Sequence, residues 1–155
     1  LNRPFAAEEW EFAGGKTLFD RARQEARESR IDGRPDILGS DIDARSIDLC
    51  KKHAKKAGVM VNWKVAPLKE LSTDKSGGLI VCNPPYGERM MEKREAEALY
   101  REMRHKFDEL DNWQVSVITA YRDFERIYGK RADKRRKLSN GGMVCTMYQY
   151  FKRND

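Results

Sequence analysis

The run LIVC at residues 79–82 is apolar at four successive positions, without the alternation that a half-exposed strand shows. Such a strand suits the interior of a parallel sheet, where helices cover both faces. Parallel neighbours are joined by long crossovers, usually helical, so the flanks of this run should carry helical periodicity. They do. A helix is expected over residues 16–29, with Leu18, Phe19, Ala22 and Ala26 on one stripe, ending before the turn signal Asp32-Gly33. A short strand near residues 36–40 precedes a helix from about Ala44, in which Ile47, Cys50, Ala54 and Ala57 recur at spacings of three and four and Gly58 is placed to cap the end. Residues 61–66 read as a second strand. Beyond LIVC, residues 92–110 hold the longest helical pattern, its stripe formed by Ala96, Leu99, Met103, Phe107 and Leu110, and residues 114–120 read as another strand. The chain ends differently: strand-like runs over 133–139 and 143–151 flank Asn140-Gly141, a hairpin signal. The fold class is therefore α/β, with a sheet that is parallel first and antiparallel last, whose ligands should lie beyond the carboxyl ends of the parallel strands.

Charge is informative once it is located. The chain carries a formal charge of +6, yet residues 126–137 hold seven of the 31 basic residues and one of the 25 acidic ones, leaving 24 of each elsewhere. A patch this local suits contact with phosphates, and Lys130, Arg131, Lys134, Arg135 and Arg136 are its candidate nucleic-acid-binding residues. A solvated basic edge strand is the competing explanation. Cys50, Cys82 and Cys145 are odd in number and widely spaced, with two histidines in the chain, so neither a disulfide framework nor a metal site is expected. No apolar run reaches the roughly 20 residues of a membrane span, and the expected setting is reduced, cytoplasmic and without a membrane partner.

Directly after LIVC stands Asn83-Pro84-Pro85-Tyr86, followed by Gly87-Glu88-Arg89. The two prolines fix φ near −65° and remove two N–H donors, leaving a stiff corner of carbonyl oxygens. An amino group brought there can donate one hydrogen to the Asn83 side-chain oxygen and one to the Pro84 carbonyl. That grip aims the nitrogen lone pair and favours the charge that develops as a methyl group arrives. Tyr86 offers a flat face for an extruded base. Asn-Pro and Pro-Pro are also common loop dipeptides, so a plain strand-ending turn is the other explanation.

At the end of the preceding strand lies Gly39-Ser40-Asp41-Ile42-Asp43. A carboxylate in that crevice can accept from both hydroxyls of a ribose, as in nucleotide-binding α/β folds. Asp41 is the candidate for that role, and Asp43 for the N-cap of the next helix.

Together, GSDIDARSIDLCKKHAKKAGV, LIVCNPPYGER and RADKRRKLSNGGMVCTMYQY resemble the large-subunit ribosomal RNA guanine-N2-methyltransferases, and the resemblance extends to LNRPFAAEEW at the start. It implies a Rossmann-like class I methyltransferase that uses S-adenosylmethionine and acts on RNA, usually behind an N-terminal RNA-binding THUMP domain. Carried over by position, Asn83, Pro84, Pro85 and Tyr86 would hold the amine and base, while Asp41, Ile42, Pro67, Leu68 and Asn83 would line the cofactor. The family's acidic residue facing the adenine amine falls at Pro67, which leaves the Leu68 backbone N–H to read the ring and Ile42 to cover one face. The resemblance also implies a first strand and a glycine-rich turn that no part of this sequence supplies. Residues 1–155 are accordingly expected to be a partial catalytic domain, with the strand near residue 38 and LIVC unable to pair directly. Two other functions fit the same residues: a DNA adenine-N6 methyltransferase, since the corner suits any exocyclic amine, and a non-catalytic RNA-binding module that keeps the fold.

Overall fold

The computed structural model describes residues 4–31, 33, 36–87, 90–140 and 142–152. The chain divides into two compact units, residues 1–37 and 38–155. The first contains two short 3-10 turns, Ala6–Glu9 and Glu11–Ala13, and helix α1, Gly15–Glu28. Its internal ties include the ion pair of Arg23 with Glu8 and the tilted contact of Phe5 with Phe19 at 5.9 Å. The expected α1 stripe is not buried: Leu18, Ala22 and Ala26 are exposed and only Phe19 is half-covered.

The second unit carries the sheet structure. Its elements are β1 (Leu38–Asp41), α2 (Ala44–Ala57), β2 (Asn62–Val65), β3 (Gly78–Cys82), α3 (Met90–Asp108), β4 (Trp113–Thr119), α4 (Phe124–Tyr128), β5 (Lys134–Asn140) and β6 (Met143–Tyr150). Strands β1 and β2 pair in parallel, and β3 pairs in parallel with β4. Strand β6 then runs antiparallel between β4 and β5. The order is β1-β2 in one sheet and β3-β4-β6-β5 in the other, with no bond joining β1 to β3. The parallel-then-antiparallel sequence of strands is therefore as expected. Each parallel pair sets a glycine against a tryptophan in register, Gly39 opposite Trp63 and Gly78 opposite Trp113, and a Cβ at either glycine would run into the indole.

Local chemistry explains the helix ends. The Asp43 carboxylate caps α2 by accepting from the Arg45 N–H at 3.0 Å and the Ser46 hydroxyl at 3.0 Å, which holds its pKa below the ordinary value. Gly58, at φ +66°, closes the same helix in the left-handed region. In the hairpin, Asn140 pairs with Met143, so β5 runs one residue further than expected and Gly142, at φ +89°, lies in the connection. Gly141 and Asp32, half of each expected turn signal, lie outside the described residues.

The core gathers on one face of the larger sheet. Ala96, Tyr100, Met103 and Phe107 of α3 pack with Phe124, Ile127 and Tyr128 of α4 over Val115 and Val117 of β4 and Tyr148 and Tyr150 of β6. Of the expected α3 stripe, Ala96, Met103 and Phe107 are buried and Leu99 is half-buried, with Tyr100 added; the helix ends at Asp108, so Leu110, also buried, lies just beyond it. Helix α4 was not anticipated: its five residues lie at the start of the basic segment, too short to show a period and masked by Arg126. LIVC needs a correction. Ile80 and Cys82 join the core, but Leu79 and Val81, which alternate to the other face, are 59% and 60% exposed. The covering helices lie on one face of this strand only.

Candidate amine-orienting site and basic edge

The corner 83–87 stands at the carboxyl end of β3, and its side chains are tied to one another. The Tyr86 hydroxyl donates to Asn83 Oδ1 at 2.8 Å and lies 3.6 Å from the buried thiol of Cys145 on β6. That sulfur contact and burial push the Tyr86 pKa above its ordinary value, so the phenol is a donor at neutral pH. A carboxamide oxygen has two lone pairs, and the tyrosine uses one. Asn83 itself is exposed, Pro84 is buried and Tyr86 is half-buried. The arrangement orients the Asn83 carboxamide and leaves a second acceptor direction for an incoming amine. Glu88 and Arg89, the end of the quoted motif, lie outside the described residues.

The corner is seated on α3. Tyr100, fully buried, donates its hydroxyl to the Pro85 carbonyl at 2.6 Å. Gly87 adopts φ +66°, and a Cβ there would fall 2.7 Å from the Lys93 Cα of the helix. A cavity of about 360 Å³ opens beside this seat, lined by Pro85, Tyr86, Gly87, Glu95, Ala96 and Leu99 among others. Sequence reasoning missed Tyr100; its signal was its place four residues after Ala96 on the buried stripe.

A second group of residues lies at the carboxyl ends of β1 and β2. Asp41 ends β1, where its Oδ1 accepts from the Asp43 N–H at 2.8 Å and its backbone oxygen accepts from the Ala66 N–H at 3.0 Å. The carboxylate is exposed and the neighbouring Ile42 side chain is 74% exposed. Pro67 caps the 3-10 turn Leu68–Glu70, and as first residue of that turn Leu68 has an N–H outside the turn's own bonds. Asp41, Ile42, Pro67 and Leu68 are thus brought to one end of the β1–β2 pair. Asn83 belongs to the other sheet.

The basic residues occupy the edge strand β5 and the loop before it. Lys134 and Arg136 alternate with Arg135 and Lys137 on the two faces, and all four are exposed, as is Arg131. Arg135 is latched to Glu125 of α4, Nε to Oε1 at 3.0 Å and Nη2 to Oε2 at 2.5 Å. Lys130 is half-buried, with its ammonium 5.8 Å from the Tyr150 ring centroid. Of the five, Lys134, Arg136 and Arg131 are the residues whose charge faces solvent without such a tie. No cluster of three or more potential metal ligands occurs among the described residues, and none of their helices is long and apolar enough to cross a membrane.

Residues 2–149 match the family described as RMKL-like, methyltransferase domain. The chain belongs to that family. Among curated relatives, the Bacillus subtilis (strain 168) protein named "Putative RNA methyltransferase YpsC" is 41% identical over 156 residues, covering 99% of this chain and 40% of its own length. The ribosomal RNA large subunit methyltransferase K/L of Syntrophotalea carbinolica is 33% identical over 97% of this chain and 22% of its own length. A crystal structure of SMU.472, described as "a putative methyltransferase complexed with SAH", superposes with a TM-score of 0.86 at 37% identity, over 99% of this chain and 41% of that one. The chain therefore spans well under half the length of these relatives. The fold is that of the Rossmann-like methyltransferases, as the sequence resemblance implied.

Proposed function

We propose that the protein carrying this chain transfers a methyl group from S-adenosylmethionine to the exocyclic N2 amine of a guanine in large-subunit ribosomal RNA. The observation that carries this reading is the exposed Asn83 carboxamide, oriented by the Tyr86 hydroxyl at the two-proline corner that ends β3. The relatives named for RNA methylation support RNA as the substrate class.

The residues present fit the cofactor. Asp41 presents an exposed carboxylate, steadied by the Asp43 N–H, for the ribose hydroxyls, and Leu68 and Ile42 stand at the same strand ends for the adenine. S-adenosylmethionine supplies an electrophilic methyl group on a sulfonium. Asn83 Oδ1 and the Pro84 carbonyl accept the two amine hydrogens, turn the nitrogen lone pair outward and stabilise the positive charge that grows on it. The resulting ammonium gives its extra proton to water, so the chain needs no strong base. Tyr86 supports the base with its ring. The exposed charges of Arg131, Lys134 and Arg136 hold phosphates, with Lys130 and Arg135 nearby. In this reading residues 1–155 are part of a catalytic domain whose first strand, glycine-rich turn and an upstream THUMP domain lie elsewhere in the longer protein.

Nucleoside mass spectrometry of unmodified ribosomal RNA treated with the full-length protein and labelled S-adenosylmethionine tests the reading. It expects N2-methylguanosine. Label in N6-methyladenosine, or no label in any base, would overturn it.

A further inference from the structure

The corner that presents the acceptors has little hold on itself. Pro84 and Pro85 cannot donate hydrogen bonds, so the carbonyl oxygens are the only backbone groups by which residues 84 and 85 can be fastened. The Pro85 carbonyl is fastened by one side chain, Tyr100 of α3, at 2.6 Å. Tyr100 is itself immobilised. Its ring meets Phe124 and Tyr121 edge-on at 5.0 and 5.4 Å, and its hydroxyl lies 3.5 Å from Thr119 Oγ1, which accepts from the Tyr121 N–H at 3.0 Å. Burial raises its pKa, so it stays a protonated donor through the neutral range. Two residues further on, Gly87 rests directly on the α3 backbone. Because φ is fixed at both prolines, a fixed Pro85 carbonyl restricts the peptide planes before it, including the one that carries the Pro84 oxygen.

We propose that Tyr100 is a positioning residue for methyl transfer: by holding the Pro85 carbonyl against the core, it sets the direction of the Pro84 oxygen and the Asn83 carboxamide relative to the arriving amine. The proposal rests on the reading of Asn83-Pro84 as the amine acceptor. Tyr100 never touches the substrate. Its effect is on geometry, where a misplacement of about 1 Å can cost on the order of a hundredfold in rate.

Tyr100→Phe removes the hydroxyl and keeps the ring, so the core survives. Phe107→Leu, in the same helix and core cluster, is the control for general loosening. Both are made in the full-length protein and followed by backbone amide exchange at Asn83, Tyr86 and Gly87 and by steady-state methylation of ribosomal RNA. For Tyr100→Phe, exchange at the corner should quicken roughly tenfold and kcat fall roughly tenfold, with KM for RNA and for S-adenosylmethionine within about twofold. Phe107→Leu should lower the melting temperature and change neither. Unchanged exchange in Tyr100→Phe overturns the proposal, as does an unchanged kcat, or an equal loss of kcat in Phe107→Leu. A parent protein inactive on RNA would defeat the functional reading instead, and the exchange measurement would still decide whether Tyr100 holds the corner.

Discussion

The β1–β2 pair and the β3-β4-β6-β5 sheet begin from the same material, short parallel strands with a glycine set against a tryptophan, and end in different states of burial. In the larger sheet, α3 and α4 lay a continuous aromatic and aliphatic layer over β4 and β6, and Val117 and Phe124 are fully covered. In the pair, α2 contributes one buried side chain, Ile47, while Leu38 and Val65 remain 55% and 50% exposed. On the proposed function, the difference separates two tasks. The corner 83–87, proposed to orient the amine, stands on the well-packed half, where the Tyr100 hydroxyl holds the Pro85 carbonyl. Of the residues the resemblance assigns to the cofactor, Asp41, Ile42, Pro67 and Leu68 stand on the thinner half and depend on turns and caps for their placement.

Stability measurements should break this comparison if it is wrong. Phe124→Ala, which opens a hole under α3 and β6, should cost roughly 3 to 5 kcal/mol in denaturant unfolding. Leu38→Ala on the thin half should cost under about 1 kcal/mol, since little of the side chain is withdrawn from water. Equal losses at the two sites would mean that the two halves are packed alike.

Function sharpens it. Tyr86→Ala should weaken productive RNA binding by roughly 1 to 3 kcal/mol through lost stacking, read as a rise in KM for RNA. It should also lower kcat, because Asn83 loses the hydroxyl that orients it. Near-normal values of both would make the ring structural. On the basic edge the effect is smaller. Replacing Lys134 and Arg136 by glutamine should flatten the dependence of log affinity on log salt by one to two units, whereas Arg135→Gln should change it less because Glu125 already engages that charge. Identical slopes in parent and double variant would favour a solvated edge strand.

The sequence was most readable where the core is complete. The α3 stripe, the parallel-to-antiparallel order and the Asp43 cap follow from periodicity and side-chain chemistry that the structure repeats. It was less readable where burial depends on neighbours: LIVC looks covered on both sides, but hydrophobicity states a preference and Leu79 and Val81 do not satisfy it within this chain. Helix α4 escaped because five residues with Arg126 among them show no period. At the corner, the Asn-Pro-Pro-Tyr run named the candidate acceptors, and the bond from Tyr86 to Asn83 falls within that run, but the bond from Tyr100 to Pro85 joins residues 15 apart and no local spacing announces it.

The proposed function puts Asn83 on the amine, although the sequence resemblance also set it beside the cofactor. Asn83→Ala in the full-length protein, measured by calorimetric titration of S-adenosylmethionine and by single-turnover methylation of ribosomal RNA, tests it directly. Cofactor affinity should stay within a few-fold of the parent, while the methyl-transfer rate falls by the equivalent of roughly 2.7 to 4 kcal/mol, the usual cost of one lost transition-state hydrogen bond. An unchanged transfer rate, or a loss that follows cofactor affinity alone, would contradict it.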